Sequence, residues 1–329
     1  MANYKELEGF SVQTLATDPD SASWVGSIFY NSTSGTFKIV KPGGGPAGTW
    51  ASGGDMNTAR RTYDNTAGSQ NDGLVFSGYT TVAVGNNELY NGTSWTELAD
   101  LNTARYASSG SGDVSTAAFC ATGLTPTRVT NNELWNGTSW TEVNDTNTGR
   151  NSGGASGTST AGLIAGGEAT GIGTIANTES WNGTSWTEVN DLNQDRIIMP
   201  LVGTQTASLA ISGKNGPGTV TYTNVEQWNG TSWTEIADVN TGRATQGASG
   251  TVNSGLVFGG SSTAITGVTE FYNGTSWTEV ADLATARGNT SGLGSGSLAL
   301  CSGGSFPAVT AATEEWTAPD VVINTLTTS

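Results

Sequence analysis

The chain has 329 residues and a formal net charge of −16, with 28 acidic residues, 12 basic residues and no histidine. The acidic excess argues against nucleic acid or an anionic membrane as a partner, since both need basic surfaces. The absence of histidine excludes Ser-His and Cys-His catalytic pairs and removes a common zinc ligand. No apolar run is long enough to span a bilayer, and the polar start of the chain argues against a signal peptide.

Residues 1–47 precede a set of repeats. Within them, residues 26–38 alternate apolar and polar side chains around a Ser/Gly turn, which predicts a β-hairpin. The Pro- and Gly-rich residues 41–46 predict a linker. We therefore expect residues 1–47 to form an anchor segment and residues 48–329 to form a separate domain.

A heptapeptide, Asn-Gly-Thr-Ser-Trp-Thr-Glu, occurs five times at intervals of 44 to 47 residues, and a degenerate copy, Gly48-Thr49-Trp50, precedes the five. A period of this size is typical of arrayed structural units. Ten positions after each tryptophan stands an arginine, and a glutamate recurs in a Glu-x-aromatic motif of each repeat. The arginines are Arg60, Arg105, Arg150, Arg196, Arg243 and Arg287, and the glutamates are Glu88, Glu133, Glu179, Glu226, Glu270 and Glu314.

Each repeat predicts four short strands, best seen in the fifth repeat. A small-residue strand at 244–249 is followed by an apolar strand at 255–258, and an Asn-Gly hairpin then joins strands at 269–272 and 276–280. We expect the asparagine and the glycine of that turn to need positive φ angles. Four antiparallel strands per repeat describe the blades of a β-propeller.

The two ends of the array complement each other. The last repeat has no Gly-Thr-Ser-Trp strand, and the segment at Trp50 lacks the three strands that should precede it. We therefore predict that residues 48–55 supply the fourth strand of the last blade, which removes an open sheet edge and gives six blades.

An opening arginine, a second strand that ends in Gly-Gly, a Glu-x-aromatic third strand and a fourth-strand tryptophan resemble the kelch repeat over about residues 48–318. The resemblance implies an all-β fold, a six-bladed kelch-like β-propeller. It indicates almost nothing about function. We interpret the six arginines as structural, each pairing with a glutamate or with strand-end carbonyls between blades. The alternative is a sialidase-like clamp for a carboxylate.

The loops between the second and third strands differ in every repeat, whereas the other segments are nearly constant. Binding residues are often carried on such loops above a rigid scaffold, although unconstrained drift is the alternative. We expect all six loops on one face of the propeller. The candidate binding residues are Tyr79, Arg128, Glu168, Lys214, Tyr222 and Phe306.

No calcium-loop spacing occurs among the carboxylates, so we expect no metal and no cofactor. Two buried free thiols are expected at Cys120 and Cys301.

Near the start of the chain, Gly-x-Ile-x-Tyr-Asn, Thr-Phe-Lys and Gly-Thr-Trp are similar to a hairpin of bacteriophage structural and tail-fibre proteins. The tandem heptapeptides are similar to those of phage virion proteins. This resemblance implies a non-enzymatic virion protein on the particle surface, homo-oligomeric and attached to other virion proteins through residues 1–47. It would serve attachment to a host surface glycan or protein, or particle decoration. The alternative is a glycan-binding or glycan-processing, sialidase-like propeller.

Repeat four departs from the others at residues 197–202, which read Ile-Ile-Met-Pro-Leu-Val where other copies have small or polar residues. The innermost strand of a blade lies nearest the propeller axis. We therefore expect part of this run to plug the axial channel and to leave no deep polar pocket there, as suits a scaffold better than an enzyme.

Overall fold

A computed structural model describes residues 12–19, 24–43, 45–216, 220–305, 307–319 and 321–326. The fold is all-β, and a short 3-10 turn at Gly45–Ala47 joins two of its strands. No helix in the described part of the chain has the length and apolarity needed to cross a membrane.

Before the first repeat, the described residues contain four strands: β1 (Gln13–Leu15), β2 (Ile28–Asn31), β3 (Thr36–Pro42) and β4 (Thr49–Ser52). Strands β2 and β3 form the predicted hairpin, with Ile28 opposite Ile39, and β1 pairs with β2 in parallel.

The repeats form six four-stranded antiparallel sheets, which we call sheets one to six. Sheet one contains β5 (Thr66–Ser69), β6 (Asp72–Phe76), β7 (Asn87–Tyr90) and β8 (Trp95–Glu97). Sheet two contains β9 (Ser109–Val114), β10 (Ala117–Ala121), β11 (Asn132–Trp135) and β12 (Trp140–Val143). Before sheet three comes β13 (Arg150–Asn151). Sheet three contains β14 (Gly154–Thr158), β15 (Ala161–Ala165), β18 (Thr178–Trp181) and β19 (Trp186–Val189). Its loop carries β16 (Glu168–Ala169) and β17 (Gly173–Thr174), which pair with β13 in a small separate sheet.

The remaining sheets follow the same order. Sheet four contains β20 (Leu201–Thr204), β21 (Ala207–Ile211), β22 (Val225–Trp228) and β23 (Trp233–Glu235). Sheet five contains β24 (Gly247–Thr251), β25 (Ser254–Phe258), β26 (Thr269–Tyr272) and β27 (Trp277–Val280). Sheet six contains β28 (Ser291–Gly294), β29 (Leu298–Ser302), β30 (Thr313–Thr317) and, as its fourth strand, β4. The last described strand is β31 (Val321–Thr325).

The outer strand of sheet six comes from the segment before the first repeat. Strand β4 pairs antiparallel with β30, and Trp50 stands opposite Trp316. The Trp50 ring lies 5.4 Å from the Trp316 ring and 4.8 Å from the ring of Phe258 in sheet five. Sheet six is therefore completed by residues that lie far from it in the sequence.

Strand β31 lies outside the repeat sheets, contrary to the assignment of residues 48–329 to one domain. It pairs with β3, which continues to Pro42 into the stretch predicted as a linker. The resulting sheet, in the order β1-β2-β3-β31, is called the terminal sheet here. Its small core contains Phe29 and Val40, packed against Leu15, Trp24 and Ile323.

A separate apolar core lies between each sheet and the next. Phe76 of sheet one packs against Trp140 of sheet two at 4.9 Å, and Phe119 of sheet two packs against Trp186 of sheet three at 5.8 Å. Sheet six returns to sheet one, where Leu300 joins a core with Trp95. The inner strands contact one another in the same cyclic order, from β5 through β9, β14, β20 and β24 to β28 and back to β5. The arrangement is consistent with a β-propeller.

Every repeat arginine forms a buried ion pair with the third-strand glutamate. The pairs are Arg60–Glu88, Arg105–Glu133 (2.8 Å), Arg150–Glu179 (2.6 Å), Arg196–Glu226, Arg243–Glu270 (3.0 Å) and Arg287–Glu314 (2.8 Å). Each pair lies within one repeat, not between blades as we expected. The glutamate also accepts backbone N–H groups of the preceding link; for Glu133 the donors are Asn102 and Thr103. Five of the arginines also donate a hydrogen bond to their glutamate, whereas Arg243 makes the ion pair without one. Because the charges are paired, they can be buried without a large loss of stability.

The backbone of each arginine makes the connection between repeats. The arginine carbonyl accepts an N–H from the glycine that ends the second strand of the preceding repeat, as in Gly78 to Arg105 at 3.1 Å. The series closes with Gly304 to Arg60 at 2.8 Å. Thus the side chain holds its own sheet together while the carbonyl joins that sheet to its neighbour.

The departures from Gly-Gly have a structural explanation. The first position of the pair adopts left-handed φ angles, including 67° at Ser77, 60° at Thr122 and 57° at Ser212. A side chain at this conformation is usually unfavourable. The hydroxyls of Ser77 and Ser212 donate to the arginine carbonyl of the next link, at 2.6 and 2.7 Å, which offsets part of that strain.

The Asn-Gly turns use the two residues differently. In the first turn Gly92 has a φ of 88°, whereas Asn91 is not left-handed. The Asn91 Oδ1 accepts the backbone N–H groups of Thr93 and Ser94 at 3.0 and 2.9 Å. The expectation of positive φ at both residues was therefore wrong for asparagine, which closes a four-residue loop through its side chain.

Cys120 and Cys301 are buried free thiols, as predicted.

Candidate binding face

The residue that follows each repeat arginine pairs with the start of the variable loop of the same repeat. These pairs are Arg61–Tyr79, Tyr106–Leu124, Asn151–Glu168, Ile197–Lys214, Ala244–Ser261 and Gly288–Ser305. All six loops are thereby held at the end of the sheets where the inner strands begin. We call this end of the repeat sheets the loop face.

Tyr79 belongs to a cluster at the loops of repeats one and two. Its ring lies 4.8 Å from the ring of Tyr106, which in turn lies 5.9 Å from the ring of Tyr63. The Arg61 guanidinium lies 5.8 Å from the centre of the Tyr79 ring, within the range of a cation–π interaction. Burial raises the pKa of Tyr63, against the opposing effect of a hydrogen bond with Arg61. We call these four residues the tyrosine–arginine cluster.

Arg128 and Glu168, both predicted as binding residues, pair with each other. The pair joins the loops of repeats two and three at 2.7 Å, and the Arg128 Nε donates to Asn151 Oδ1 at 2.6 Å. Both side chains remain partly exposed. Because the two side chains pair with each other, each has fewer free groups for a ligand than we predicted for it alone.

The other predicted residues lie elsewhere on the loop face. Lys214 pairs through its backbone with Ile197 and Thr221, at the base of the fourth loop. The ring of Tyr222 lies 5.7 Å from the buried guanidinium of Arg196, so it covers the scaffold of repeat four. Phe306 lies outside the described residues. The described contacts therefore place the predicted residues at several positions around the loop face.

Arg61, Tyr63 and Tyr106 were not predicted as binding residues, because they precede the first strand of a repeat and do not belong to the loops between the second and third strands. A signal was present, since the residue after the repeat arginine differs in all six repeats. In repeat one this residue is a second arginine, which gives the doublet Arg60-Arg61.

Backbone hydrogen bonds join the starts of the inner strands around the centre of the loop face. Ser152 donates to Ala107 at 2.7 Å, Ile198 donates to Ser152 at 2.7 Å, and the series continues through Thr245 and Asn289. The last described bond runs from Thr62 to Asn289 at 2.9 Å. The five residues from Ala107 to Asn289 in this series have φ between 50° and 64°. Such values are unusual for side-chain-bearing residues, and for the β-branched Ile198 above all.

A small central cavity of about 30 Å³ lies at this ring, and Asp64 is the one acidic side chain among its described lining residues. Asp64 accepts a hydrogen bond from the backbone N–H of Gly292 at 2.8 Å. Burial raises the pKa of Asp64 to about 8, against the opposing effect of backbone hydrogen bonds. The Oγ1 of Thr245 and the Oε1 of Gln246 have no hydrogen-bond partner among the described residues that surround them. Repeat one therefore brings to the centre of the loop face a carboxyl group whose neutral form is favoured by burial.

The run at 197–202 lies partly at the centre, as we expected, since Ile198, Met199 and Pro200 line the small central cavity. Five of its six residues are buried, and Met199 and Leu201 pack sideways into the core between sheets three and four. Room for Leu201 exists because the neighbouring inner strand has Gly154, where a Cβ would overlap the leucine. A larger cavity of about 270 Å³, lined by all six inner strands, lies at the opposite end.

Within the described ranges, no group of three or more His, Cys, Asp or Glu side chains could hold a metal ion. No protein-family model matches the chain, and no curated protein is similar to it.

Proposed function

We propose that the six sheets are the blades of a closed, six-bladed kelch-like β-propeller. We further propose that the protein is a non-enzymatic structural protein of a bacteriophage virion. Its propeller serves attachment to a host surface glycan or protein, or decoration of the particle. The observation that carries this proposal is the contrast between six identical buried Arg–Glu pairs and a loop face that differs in every repeat.

The phage assignment is supported by the heptapeptide repeats and by the hairpin that precedes them. In this proposal residues 1–47 contact other virion proteins and the chain assembles as a homo-oligomer on the particle. Ile28 and Phe37 support the contact, because these apolar side chains of the terminal sheet are 48% and 49% exposed. Large apolar side chains exposed on one small sheet suit a protein partner.

Electron microscopy of the parent particle, with an antibody raised against the full chain, tests the assignment. We expect labelling at regular positions on the particle surface, and density for a six-bladed propeller at those positions. A double variant, Ile28→Ser with Phe37→Ser, should fold and should be missing from particles. A matched double variant at exposed polar residues, Thr33→Ala with Ser34→Ala, should be incorporated normally. Absence of the protein from purified particles would contradict the proposal.

A second candidate function is glycan binding or glycan processing, and the tyrosine–arginine cluster beside the central cavity favours it. Glycosidases commonly need two carboxyl groups in one site. Asp64 is the single acidic residue described in the cavity lining, which supports binding more than hydrolysis. Release of the fluorophore from a fluorogenic sialoside, abolished by Asp64→Asn, would favour an enzyme.

A further inference from the structure

Five exposed turns carry the same pair of adjacent residues, asparagine and glycine. Each turn joins the third strand of a sheet to the fourth in sheets one to five, whereas the fourth strand of sheet six is β4. The turns lie on the face opposite the loop face, since the variable loops lead into the other ends of the third strands. The asparagines are all exposed, and they are Asn91, Asn136, Asn182, Asn229 and Asn273.

The side-chain carbonyl of each of these asparagines accepts two hydrogen bonds. In every turn the Oδ1 accepts the backbone N–H groups of the next threonine and serine, at 2.9–3.0 Å. Two such donors polarise a carbonyl group and stabilise the negative charge that develops on its oxygen when a nucleophile adds to the carbon. Each turn therefore activates the Cγ atom of its own asparagine.

The nucleophile nearest to that carbon in the chain is the backbone nitrogen of the following glycine. Among the described residues, no acceptor bonds to the N–H of any of the five glycines. Their φ angles lie between 88° and 90°, and without a Cβ they leave the nitrogen uncrowded. Because the two reacting atoms belong to adjacent residues, the reaction is intramolecular and gains the corresponding advantage in rate.

The leaving group is also accessible. The side-chain nitrogen of Asn136 donates to Ser139 Oγ at 3.4 Å, and the other four Nδ2 atoms have no partner in the described part of the chain. An activated carbon, an unbonded nucleophile and an accessible leaving group therefore meet in one exposed turn, and the chain repeats that turn five times.

We infer that these five turns are sites of spontaneous deamidation. The glycine nitrogen bonds to the asparagine Cγ while the Cγ–Nδ2 bond breaks, and the proton of the glycine N–H leaves with the amide nitrogen as ammonia. The product is a cyclic imide. Water then adds to one of its two carbonyl carbons and opens the ring, which gives aspartate or isoaspartate.

The reaction changes the charge of one face of the molecule. An exposed carboxyl group is ionised at pH 7, so each conversion adds one negative charge. Five conversions would change the formal net charge from −16 to −21. An aspartate can accept the same two N–H groups through a charged oxygen, which strengthens such bonds. The buried Arg–Glu pairs and the loop face do not contain these turns, so we expect both to be retained.

Peptide mapping of the full chain by mass spectrometry, after incubation at pH 8 and 37 °C, tests the inference. The segments between repeats supply matched controls, since their asparagines precede threonine or glutamine and donate from Nδ2 to a buried glutamate at 2.7–2.9 Å. These controls are Asn102, Asn147, Asn193 and Asn240. We expect the five turns to lose their amides at least about tenfold faster than the controls.

A substitution tests the role of the glycine. Gly92→Ala adds a methyl group beside the attacking nitrogen and should slow the reaction of Asn91 at least about fivefold. The other four turns of the same variant are its controls and should react at the wild-type rate. Circular dichroism should show that the variant is folded.

Anion-exchange chromatography should show the wild-type chain gaining negative charge in single steps while its circular dichroism spectrum is unchanged. No amide loss at the turns, equal rates at the turns and the control asparagines, or an unchanged rate at Asn91 in Gly92→Ala would overturn the inference. None of these results depends on whether the protein is found on virus particles.

Discussion

The repeat arginine and the residue after it belong to two different regions of the molecule. In all six repeats the arginine is buried and paired with a glutamate, and its carbonyl bonds to the preceding sheet. The next residue, on the loop face, is a different amino acid each time. One peptide bond thus separates a framework shared by six repeats from features that single repeats possess.

The comparison shows how a chain of near-identical units can carry one asymmetric surface. Repeat one has six positions from Arg60 to Thr66, where repeat two has five from Arg105 to its equivalent Gly110. The additional residue accompanies left-handed φ angles at both Tyr63 and Asp64. The ion pair beneath is unaffected, so the framework tolerates a local insertion that places new chemistry at the centre.

Removing the strand that completes sheet six should have the largest effect on the shared framework. A chain that lacks residues 1–54 loses β4 and the Trp50 contacts with Trp316 and Phe258. We expect a lower midpoint of thermal unfolding and faster hydrogen exchange in β30. A chain that lacks residues 1–47 keeps β4 and is the control. Unchanged exchange in β30 after the longer truncation would show that β4 contributes little.

Breaking one framework ion pair should cost somewhat less. Glu133→Ala leaves the Arg105 guanidinium buried without its carboxylate and removes the acceptor of the Asn102 and Thr103 amides. We expect the free energy of unfolding in urea to fall by about 3–5 kcal/mol. Glu142→Ala, on the opposite strand and exposed, should change it by less than about 0.5 kcal/mol. Similar decreases in the free energy of unfolding of the two variants would show that the buried ion pair stabilises the fold no more than an exposed glutamate does.

Truncating a buried side chain that only repeat four has should lower the free energy of unfolding by a similar amount. Met199→Ala deletes a side chain that is 3% exposed and packs between sheets three and four. We expect a loss of about 2–5 kcal/mol, as for other large-to-small core substitutions. Ile172→Ala, at a residue that is 73% exposed, is the control. A near-zero effect of Met199→Ala would mean that this core closes around the missing side chain.

The effect of Asp64 should differ from the others because it depends on pH. Its pKa is about 8 in the folded protein, against an ordinary value of 3.8, so the folded state binds the proton more tightly than the unfolded state. The free energy of unfolding should therefore decrease as pH rises from about 4 to 8.

Asp64→Asn keeps an acceptor for Gly292 but removes the titration. Relative to the wild type, we expect it to be more stable at pH 8, by at most about 5 kcal/mol, and equally stable at pH 3. Thermal unfolding at a series of pH values measures this difference. A difference that does not change with pH would contradict the assignment.

Local motifs predicted the third and fourth strands well, because the information lies within a few residues. The predicted strand at 269–272 is β26, and the Asn-Gly turn that follows it joins β27. The inner strand was placed too early, at 244, since Ala244 pairs instead with Ser261 at the base of the loop. A small apolar residue near a strand start does not indicate which of two partners it will take.

Long-range features were less accessible from the sequence. The complementary ends of the array predicted that residues 48–55 supply the last strand, and Thr49–Ser52 do pair with β30. The pairing of β31 with β3 has no such signal. The tyrosine–arginine cluster depends on contacts between two repeats, and the position of Asp64 depends on a one-residue insertion. Neither can be recognised from residue type alone.

The pairing of β4 with β30 also determines the order in which the molecule can fold. Trp50 and Trp316 are about 266 residues apart, so at roughly 5–20 residues per second the ribosome releases the second of them about 13–50 s after the first. Sheets one to five can each form as their own repeat emerges, while β4 remains without its partner throughout. In a polysome, neighbouring nascent chains carry the same unpaired strand, so the β4 of one chain can complete the sixth sheet of another. Refolding at high protein concentration should therefore produce strand-exchanged dimers that dissociate only on unfolding.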